Sequence, residues 1–237
     1  MPHVVQAVST QALSGSVTSI TSPAMATTSG NLLAANGADN NGGATEAGTP
    51  FSDSGSHTWQ VAVPVNDGSL STGTRFTQRY VPNITGQLGH TVTYTSPSTN
   101  FPSVAVAEID QADTSLPEDQ EASNHPVGGG GNPHSSGTTG ATIDAEEIAI
   151  AGLTHGSGSS EDITSLAGFT ICTKQISTAG MPIALSALEL GSSATPEERF
   201  ALAGNPSTPY AAGIATYRAG PPSNAAPEGH ARSSPRP

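Results

Sequence analysis

Acidic residues are concentrated in one stretch of the chain, SVAVAEIDQADTSLPEDQE at residues 103–121. Glu108 and Asp110 lie two positions apart on a predicted strand, so both carboxylates share one face at a separation of about 7 Å. A glycoside hydrolase needs two carboxylates facing one cleft at about 5–10 Å. The spacing is compatible with that chemistry, but the neighbours are apolar. The chain also has only one Trp, four Tyr and five Phe to stack on sugar rings. We therefore expect no catalytic pair and no enzyme.

Calcium is the ion whose ligands the sequence offers most readily. GADNNGG at residues 37–43 matches part of a calcium loop, but glycines occupy the first ligand position and the position of the closing glutamate. An EF-hand is excluded, whereas a calcium site assembled from several loops remains open. No other cofactor is expected. The candidate calcium ligands are Asp39, Asp53, Asp110 and Asp113.

Other catalytic motifs do not occur in the sequence. The only lysine, Lys174, does not belong to a phosphate-binding loop, and no G-x-S-x-G nucleophile elbow occurs. The histidines near turns are expected at the surface rather than on zinc, because no H-E-x-x-H motif accompanies them. These histidines are His57, His125, His134 and His155. Cys172 is the single cysteine, so it cannot form an intramolecular disulfide and is expected to be a small buried apolar residue.

Composition and charge exclude several classes of partner. Only 11% of the residues are charged, and Lys and Arg number seven against a net charge of −12. Nucleic acids and anionic membranes require clustered basic residues, so neither is expected as a partner. Helices cover their solvent side with Glu, Lys and Arg, whereas sheets use Thr, Ser, Asn and Gln. The composition therefore predicts an all-β protein, and the first residues show no signal-peptide pattern.

Period-two and β-branched runs separated by Gly, Pro, Asn and Ser clusters predict an antiparallel β-sandwich with a jelly-roll-like arrangement. The segment 195–204 has a helix-start signal at Thr195–Pro196, but its short length and the following turn favour a strand. The predicted strands cover residues 3–10, 14–21, 31–38, 57–65, 74–81, 89–95, 103–110, 146–153, 168–176, 183–190, 198–203 and 210–218.

The strands are predicted to form a single domain over residues 1–218. A second-domain boundary at the Gly-rich stretch 124–142 is disfavoured, because each half would have a poor core of its own. We expect a long surface loop at residues 111–145. The Pro- and Ala-rich tail at residues 219–237 is expected to be flexible, or ordered only against a partner.

The order of several segments resembles a known β-sandwich module. These segments are PAMATTSGNLLAANGA, the stretch from RYVPNITGQLGH to EIDQADTSLPEDQEAS, SSGTTGATIDAEEIAIAGL and PYAAGIATYR. Together they are similar to modules of actinobacterial phage minor tail and other virion structural proteins, and of related bacterial surface proteins. The resemblance covers roughly residues 3–218 and implies a virion or cell-surface setting. It carries no catalytic residues to this chain.

Two functions follow as expectations, besides the hydrolase already disfavoured. The first is a virion structural protein (minor tail, tail-tip or capsid-decoration component), assembled in the host cytoplasm with other virion proteins or with further copies of itself. The alternative is a carbohydrate- or receptor-binding adhesion module with host-surface glycans as partners. That function needs exposed aromatic rings. The candidates are Trp59, Phe76, Tyr80, Tyr94 and Phe101, although packing in the core or at its rim is the more ordinary role for them.

Overall fold

The computed structural model describes residues 1–40, 50–66, 74–97, 100–126, 131–156, 161–204 and 209–221. Regular secondary structure in these ranges consists of strands joined by antiparallel pairings. The predicted all-β antiparallel class is confirmed. The strands are β1 His3–Gln11, β2 Ser19–Thr21, β3 Leu32–Asp39, β4 Phe51–Asp53, β5 Gln60–Asn66, β6 Arg75–Val81, β7 Val92–Thr95, β8 Ser103–Asp110, β9 Glu118–Asn124, β10 His134–Thr138, β11 Glu147–His155, β12 Ile163–Ser165, β13 Thr170–Gln175, β14 Ile183–Leu190, β15 Glu197–Leu202 and β16 Tyr210–Arg218.

Each of the predicted strands overlaps an observed one, and four short or polar strands were not predicted. These are β4, β9, β10 and β12. The prediction of a continuous loop at residues 111–145 is wrong, because β9 and β10 lie within it. Strand β9 has the sequence EDQEASN and is an edge strand paired only with β16, so it lacks the apolar alternation of a buried strand. The strand interpretation of segment 195–204 is confirmed by β15.

The sixteen strands form two halves with the same topology. In the first half, a five-stranded sheet has the order β1-β8-β3-β6-β5 and a three-stranded sheet has the order β2-β7-β4. The second half has the orders β9-β16-β11-β14-β13 and β10-β15-β12, which are the first-half orders with eight added to each number. In each half the first strand pairs with the eighth, the second with the seventh and the third with the sixth. This nesting is the jelly-roll pattern.

The sheets stack in four layers around three apolar clusters. The central cluster contains side chains from both five-stranded sheets, and each outer cluster lies between the five-stranded and three-stranded sheets of one half. Strand β3 shows how the sequence specifies this stack. Leu32 and Ala34 face the central cluster, while Leu33 and Ala35 face the outer one. A strand buried on both faces is nearly continuously apolar. The single domain predicted for residues 1–218 stays a prediction, which the shared central cluster favours.

The two halves contact each other reciprocally, as expected for an approximate two-fold axis. Strand β1 contacts β13 as β9 contacts β5, β8 contacts β14 as β16 contacts β6, and β3 contacts β11. Small residues allow this approach at the centre, where Gly152 is paired with Gly213. A Cβ atom on Gly152 would lie 2.1 Å from Nδ2 of Asn36, and one on Gly213 would lie 2.8 Å from the ring of Phe76.

At the end of the domain, the chain leaving β16 pairs with the chain leaving β8 through a bridge between Ala112 and Ala219. Of the predicted tail, only residues 219–221 are described, and the remainder lies outside the described residues. None of the described segments forms a helix long and apolar enough to cross a membrane.

Candidate functional site

Among the described residues, the side chains best placed to bind a metal or transfer a proton are Asp53, His57 and His90. We call them the Asp–His cluster. Asp53 is the last residue of β4 and is paired with Val92 of β7. His57 follows in the next turn, and His90 lies just before β7, where it bridges to Met25. The cluster therefore joins three chain segments at one end of the outer sheet of the first half.

The three side chains converge closely. Oδ1 of Asp53 lies 3.0 Å from Nδ1 of His57 and 3.4 Å from Nε2 of His90, and the two imidazole rings stack with centroids 5.6 Å apart. The side chains of Asp53 and His90 are fully buried, whereas that of His57 is 14% exposed. One ligand atom from each residue lies within 4.8 Å of the others, which is close enough for a common metal ion.

Asp53 accepts several hydrogen bonds besides the one from His57. The Gly55 N–H donates to Oδ1 at 2.6 Å, and the indole Nε1–H of Trp59 donates to Oδ2 at 2.8 Å. Burial by itself raises the pKa of the Asp53 carboxyl. The hydrogen bonds from the side chain and backbone of His57, together with that from the Gly55 N–H, outweigh this effect and lower the pKa below its ordinary value. Hydrogen-bond donors of the protein therefore stabilise the ionised form of the buried Asp53 carboxylate.

The hydrogen bonds of His57 determine which ring nitrogen carries the proton. The backbone N–H of Thr85 donates to Nε2 of His57 at 3.0 Å, so Nε2 is an acceptor and the proton is on Nδ1. That Nδ1–H faces Asp53 at 3.0 Å and donates to it. Both nitrogens of His57 are consequently occupied, and neither has a free lone pair for general-base catalysis or for a metal.

His90 is oriented by the segment that precedes the first half's β3. Its Nδ1 lies 3.0 Å from Oγ1 of Thr27, which also accepts the backbone N–H of Gln87 at 3.1 Å. Two histidines and a carboxylate are a set of ligands that suits zinc or iron. In this arrangement a metal would have to displace the Nδ1 proton of His57 and disturb its bond from Thr85. The cluster is best suited to cross-linking the turn after β4 to the segments around Thr27 and Thr85.

The structure places the predicted calcium ligands apart. Asp39 forms a buried ion pair with Arg75 and accepts a hydrogen bond of 2.7 Å from the hydroxyl of Tyr94. Asp110 lies 2.8 Å from Nδ1 of His3. Among the described residues, the Asp–His cluster is the one group of three metal-ligating side chains, and Asp53 is its only member from the predicted calcium set.

Asp113, the remaining predicted calcium ligand, caps a turn. Its Oδ1 accepts hydrogen bonds from the N–H and hydroxyl of Ser115, both at 2.7 Å, and from the N–H of Leu116 at 3.1 Å. These bonds lower the pKa of the Asp113 carboxyl. Two backbone N–H groups and the Ser115 hydroxyl, all from the same turn, stabilise this carboxylate.

Glu108, the first carboxylate of the acidic stretch, is buried in β8. Its oxygens accept hydrogen bonds from the N–H of Thr28 at 2.7 Å, from Nδ2 of Asn31 at 2.8 Å and from Nε2 of Gln6 at 2.5 Å. These hydrogen bonds connect β1 and the segment before β3 to β8. Glu108 therefore has the environment of a structural carboxylate.

The predicted sugar-binding aromatics lie largely in the apolar clusters. Trp59, Tyr80, Phe76 and Tyr94 are between 0% and 6% exposed, and Phe101 is half-buried. Trp59 stacks on Phe51 with ring centroids 5.3 Å apart. The first four rings present no face to solvent on which a sugar could stack.

Sequence reasoning missed a group of buried polar residues in the second half. His134 and His155 are fully buried, so the prediction of surface positions for them is wrong, whereas His57 and His125 are partly exposed. They occupy inward positions of β10 and β11, and the ring of His134 packs on Tyr210 with centroids 4.1 Å apart. Burial lowers the pKa of His155 to about 4. No local sequence signal distinguishes an inward histidine near a strand end from an outward one.

Two further residues have pKa values displaced by burial. Burial raises the pKa of the fully buried Glu198 on β15 to about 7. Burial also raises the pKa of the half-buried Cys172 thiol to about 11, so at neutral pH the side chain is a protonated thiol that reacts slowly. Cys172 packs against the central cluster, but it is only partly buried, whereas the sequence predicts a buried position.

Comparison with known proteins gives no significant match to a protein-family model, to a curated protein or to a solved structure.

Proposed function

We propose that this protein is a non-enzymatic structural component of a bacteriophage virion, of the minor tail, tail-tip or capsid-decoration kind, and that it acts through packing between subunits. The observation that carries the proposal is the stack of two jelly rolls on a common core. Jelly rolls are a recurrent architecture of viral coat proteins. The sequence resemblance to virion modules supports the same assignment.

The chemistry of the described polar side chains supports a structural role. Asp53, Glu108 and Asp113 each accept several hydrogen bonds from neighbouring segments, and Asp39 is committed to Arg75. Such groups stabilise loops and strands but are not poised to attack a substrate. The net charge of −12 also disfavours nucleic-acid contacts and leaves protein subunits as the natural partners.

Exposed apolar side chains offer contacts for such subunits. In the part of the chain that the structure describes, six large apolar side chains on both halves are at least half exposed, and Leu88 is 96% exposed. Isolated exposed apolar residues are common, but subunit interfaces bury such side chains. The six are Leu13, Val61, Leu88, Leu116, Ile143 and Leu166.

The test is to locate the protein. Virions of the phage whose genome encodes this chain would be purified on a density gradient, analysed by mass spectrometry and labelled with an antibody raised against the protein. We expect the protein to sediment with the particles and the antibody to mark the tail or the capsid surface. If the protein stays in the soluble fraction of the lysate and no particle is labelled, the proposal is wrong.

The adhesion alternative is distinguished by a second measurement. The purified protein would be incubated with cell-wall glycans of the host and sedimented. Retention on the glycans, with no labelling of virions, would favour an adhesion module on a cell surface. The burial of Trp59, Phe76, Tyr80 and Tyr94 leaves that function without an aromatic platform at these positions.

A further inference from the structure

Two tyrosines fill one side of the interface between the two halves. Tyr80 of β6 and Tyr217 of β16 are both buried, and their rings meet edge to face with centroids 5.5 Å apart. The hydroxyl of Tyr80 donates to Oε1 of Gln60 on β5 at 2.8 Å. This side of the interface is the one where β5 and β9 lie over each other.

The approximate two-fold axis assigns each of these residues a counterpart. Asn36 in the middle of β3 contacts Gly152 in the middle of β11, and equivalent positions meet at a two-fold axis. A second pair of positions meets in a cavity at the end of the domain. Its lining includes Gly30, two residues before β3, and Glu146, one residue before β11. Both observations make residue 36 equivalent to residue 152, and therefore Ala34 equivalent to Ile150.

Strand register then identifies the counterparts of Tyr80 and Gln60. Tyr80 is paired with Ala34 and with Gln60. Ile150 is paired with Ala187, and Ala187 is paired with Thr170. An alanine therefore occupies the position of Tyr80, and a threonine occupies the position of the glutamine that accepts the Tyr80 hydroxyl.

The counterpart of Tyr217 follows in the same way. Tyr217 is paired with Ile148, and the equivalent pair in the first half is Ile109 with Leu32. The second side of the interface consequently has Ala187 and Ile109 where the first side has two tyrosines. The aromatic filling is missing on the side where β1 and β13 lie over each other.

A cleft of about 510 Å³ opens beside Ala187, the counterpart of Tyr80. Val4 and Ala7 of β1 form one wall, and Cys172 and Ala187 form the other. Thr170 also lines the cleft. The volume lies within the range of small-molecule sites. The apolar side chains share the walls with the polar side chains of Gln6, Thr170 and Glu189.

We propose that this cleft is a binding site for a small, neutral, para-substituted phenol. The apolar walls receive the ring as the core receives Tyr80, and Oγ1 of Thr170 accepts the phenol hydroxyl as Gln60 accepts that of Tyr80. The carboxylate of Glu189 at the rim selects against anionic aromatic compounds such as benzoates. The site is separate from the Asp–His cluster and from the virion role proposed above.

The first test uses p-cresol, the side chain of tyrosine as a free molecule, in calorimetric titration of the full chain. We expect saturable binding of one p-cresol per chain and at least tenfold weaker binding of benzoate. The variant Ala187→Tyr fills the cleft from within and is expected to weaken p-cresol binding at least tenfold. The variant Tyr80→Ala is the matched control, because it opens the equivalent space and is expected to raise the stoichiometry to two.

Several results would overturn the proposal. These are the absence of saturable p-cresol binding to the wild-type chain, and unchanged binding to a folded Ala187→Tyr variant. Tighter binding of the peptide Gly-Tyr-Gly than of p-cresol would overturn the assignment to a free small molecule. Should Ala187→Tyr not fold, the wild-type chain still gives a readout. Saturating p-cresol must slow the reaction of the Cys172 thiol with a disulfide reagent at least threefold, and an unchanged rate contradicts the proposal.

Discussion

The substitution Glu198→Gln tests how burial controls the pH dependence of stability. Glu198 lies on β15 in the inner face of the three-stranded sheet, with no exposed surface, and Ser165 of β12 lies near its carboxyl. Burial disfavours its charged form and raises the pKa from the ordinary 4.5 to about 7, against the smaller opposing effect of the hydrogen bonds. Glutamine has nearly the same shape but does not titrate.

The sign and magnitude follow from proton linkage. Because the folded pKa is raised, the folded state holds a proton that the unfolded state releases, so stability falls as pH rises between about 4.5 and 7. Each pKa unit corresponds to about 1.4 kcal/mol, so the wild-type protein should lose about 3 kcal/mol through this group across the interval. The variant should lose none of it.

The assay is urea denaturation followed by the fluorescence of Trp59, at pH values from 4.5 to 8. We expect the stability of Glu198→Gln relative to wild type to increase by about 3 kcal/mol from the lowest to the highest pH. A difference between Glu198→Gln and wild type that is independent of pH would refute the reasoning.

Three further outcomes are expected. The pH dependence of stability caused by His155 has the opposite sign, because its pKa in the folded state is lowered from 6.5 to about 4. Wild type should therefore lose stability as pH falls from 6.5 to 4, whereas His155→Gln should not. In urea titrations the stability of the variant relative to wild type should increase by about 3 kcal/mol over that interval. Gly152→Ala should cost about 1–3 kcal/mol in thermal denaturation because its Cβ would overlap the facing sheet, whereas Gly89→Ala, with open space around it, should be nearly neutral. Asp53→Asn should cost about 1–3 kcal/mol and shift the emission of Trp59, because Asn lacks the second carboxylate acceptor; a variant as stable as wild type would contradict the role assigned to the Asp–His cluster.

Strands with a strong local pattern could be predicted from the sequence. Strand β8 is predicted at residues 103–110 and observed at Ser103–Asp110, because the run SVAVAEID is apolar, β-branched and bounded by turn residues. Strand β9 could not be predicted in this way. Its polar sequence is extended because it pairs with β16, a partner far along the chain. The sequence of a polar edge strand contains no local pattern that shows which distant strand it pairs with.

The candidate site could be predicted only in fragments. The sequence indicates Asp53 as a metal-ligand candidate and Trp59 as a binding candidate, and the structure brings them together through a hydrogen bond of 2.8 Å. Their partner His90 lies far along the sequence, and its position depends on the pairing of β4 with β7. The role of His57 depends further on a single N–H of Thr85.

The sequence by itself determined the all-β class, the antiparallel pairing and most strand positions. These properties follow from side-chain alternation and from a composition that cannot cover helices, both of which act locally. The tertiary structure decided that two jelly rolls share a core, that Tyr80 and Tyr217 fill one side of the interface, and that the other side is open. Those features depend on which faces meet across the approximate two-fold axis. A strand sequence records that a face is buried, but it does not record which side chains lie opposite.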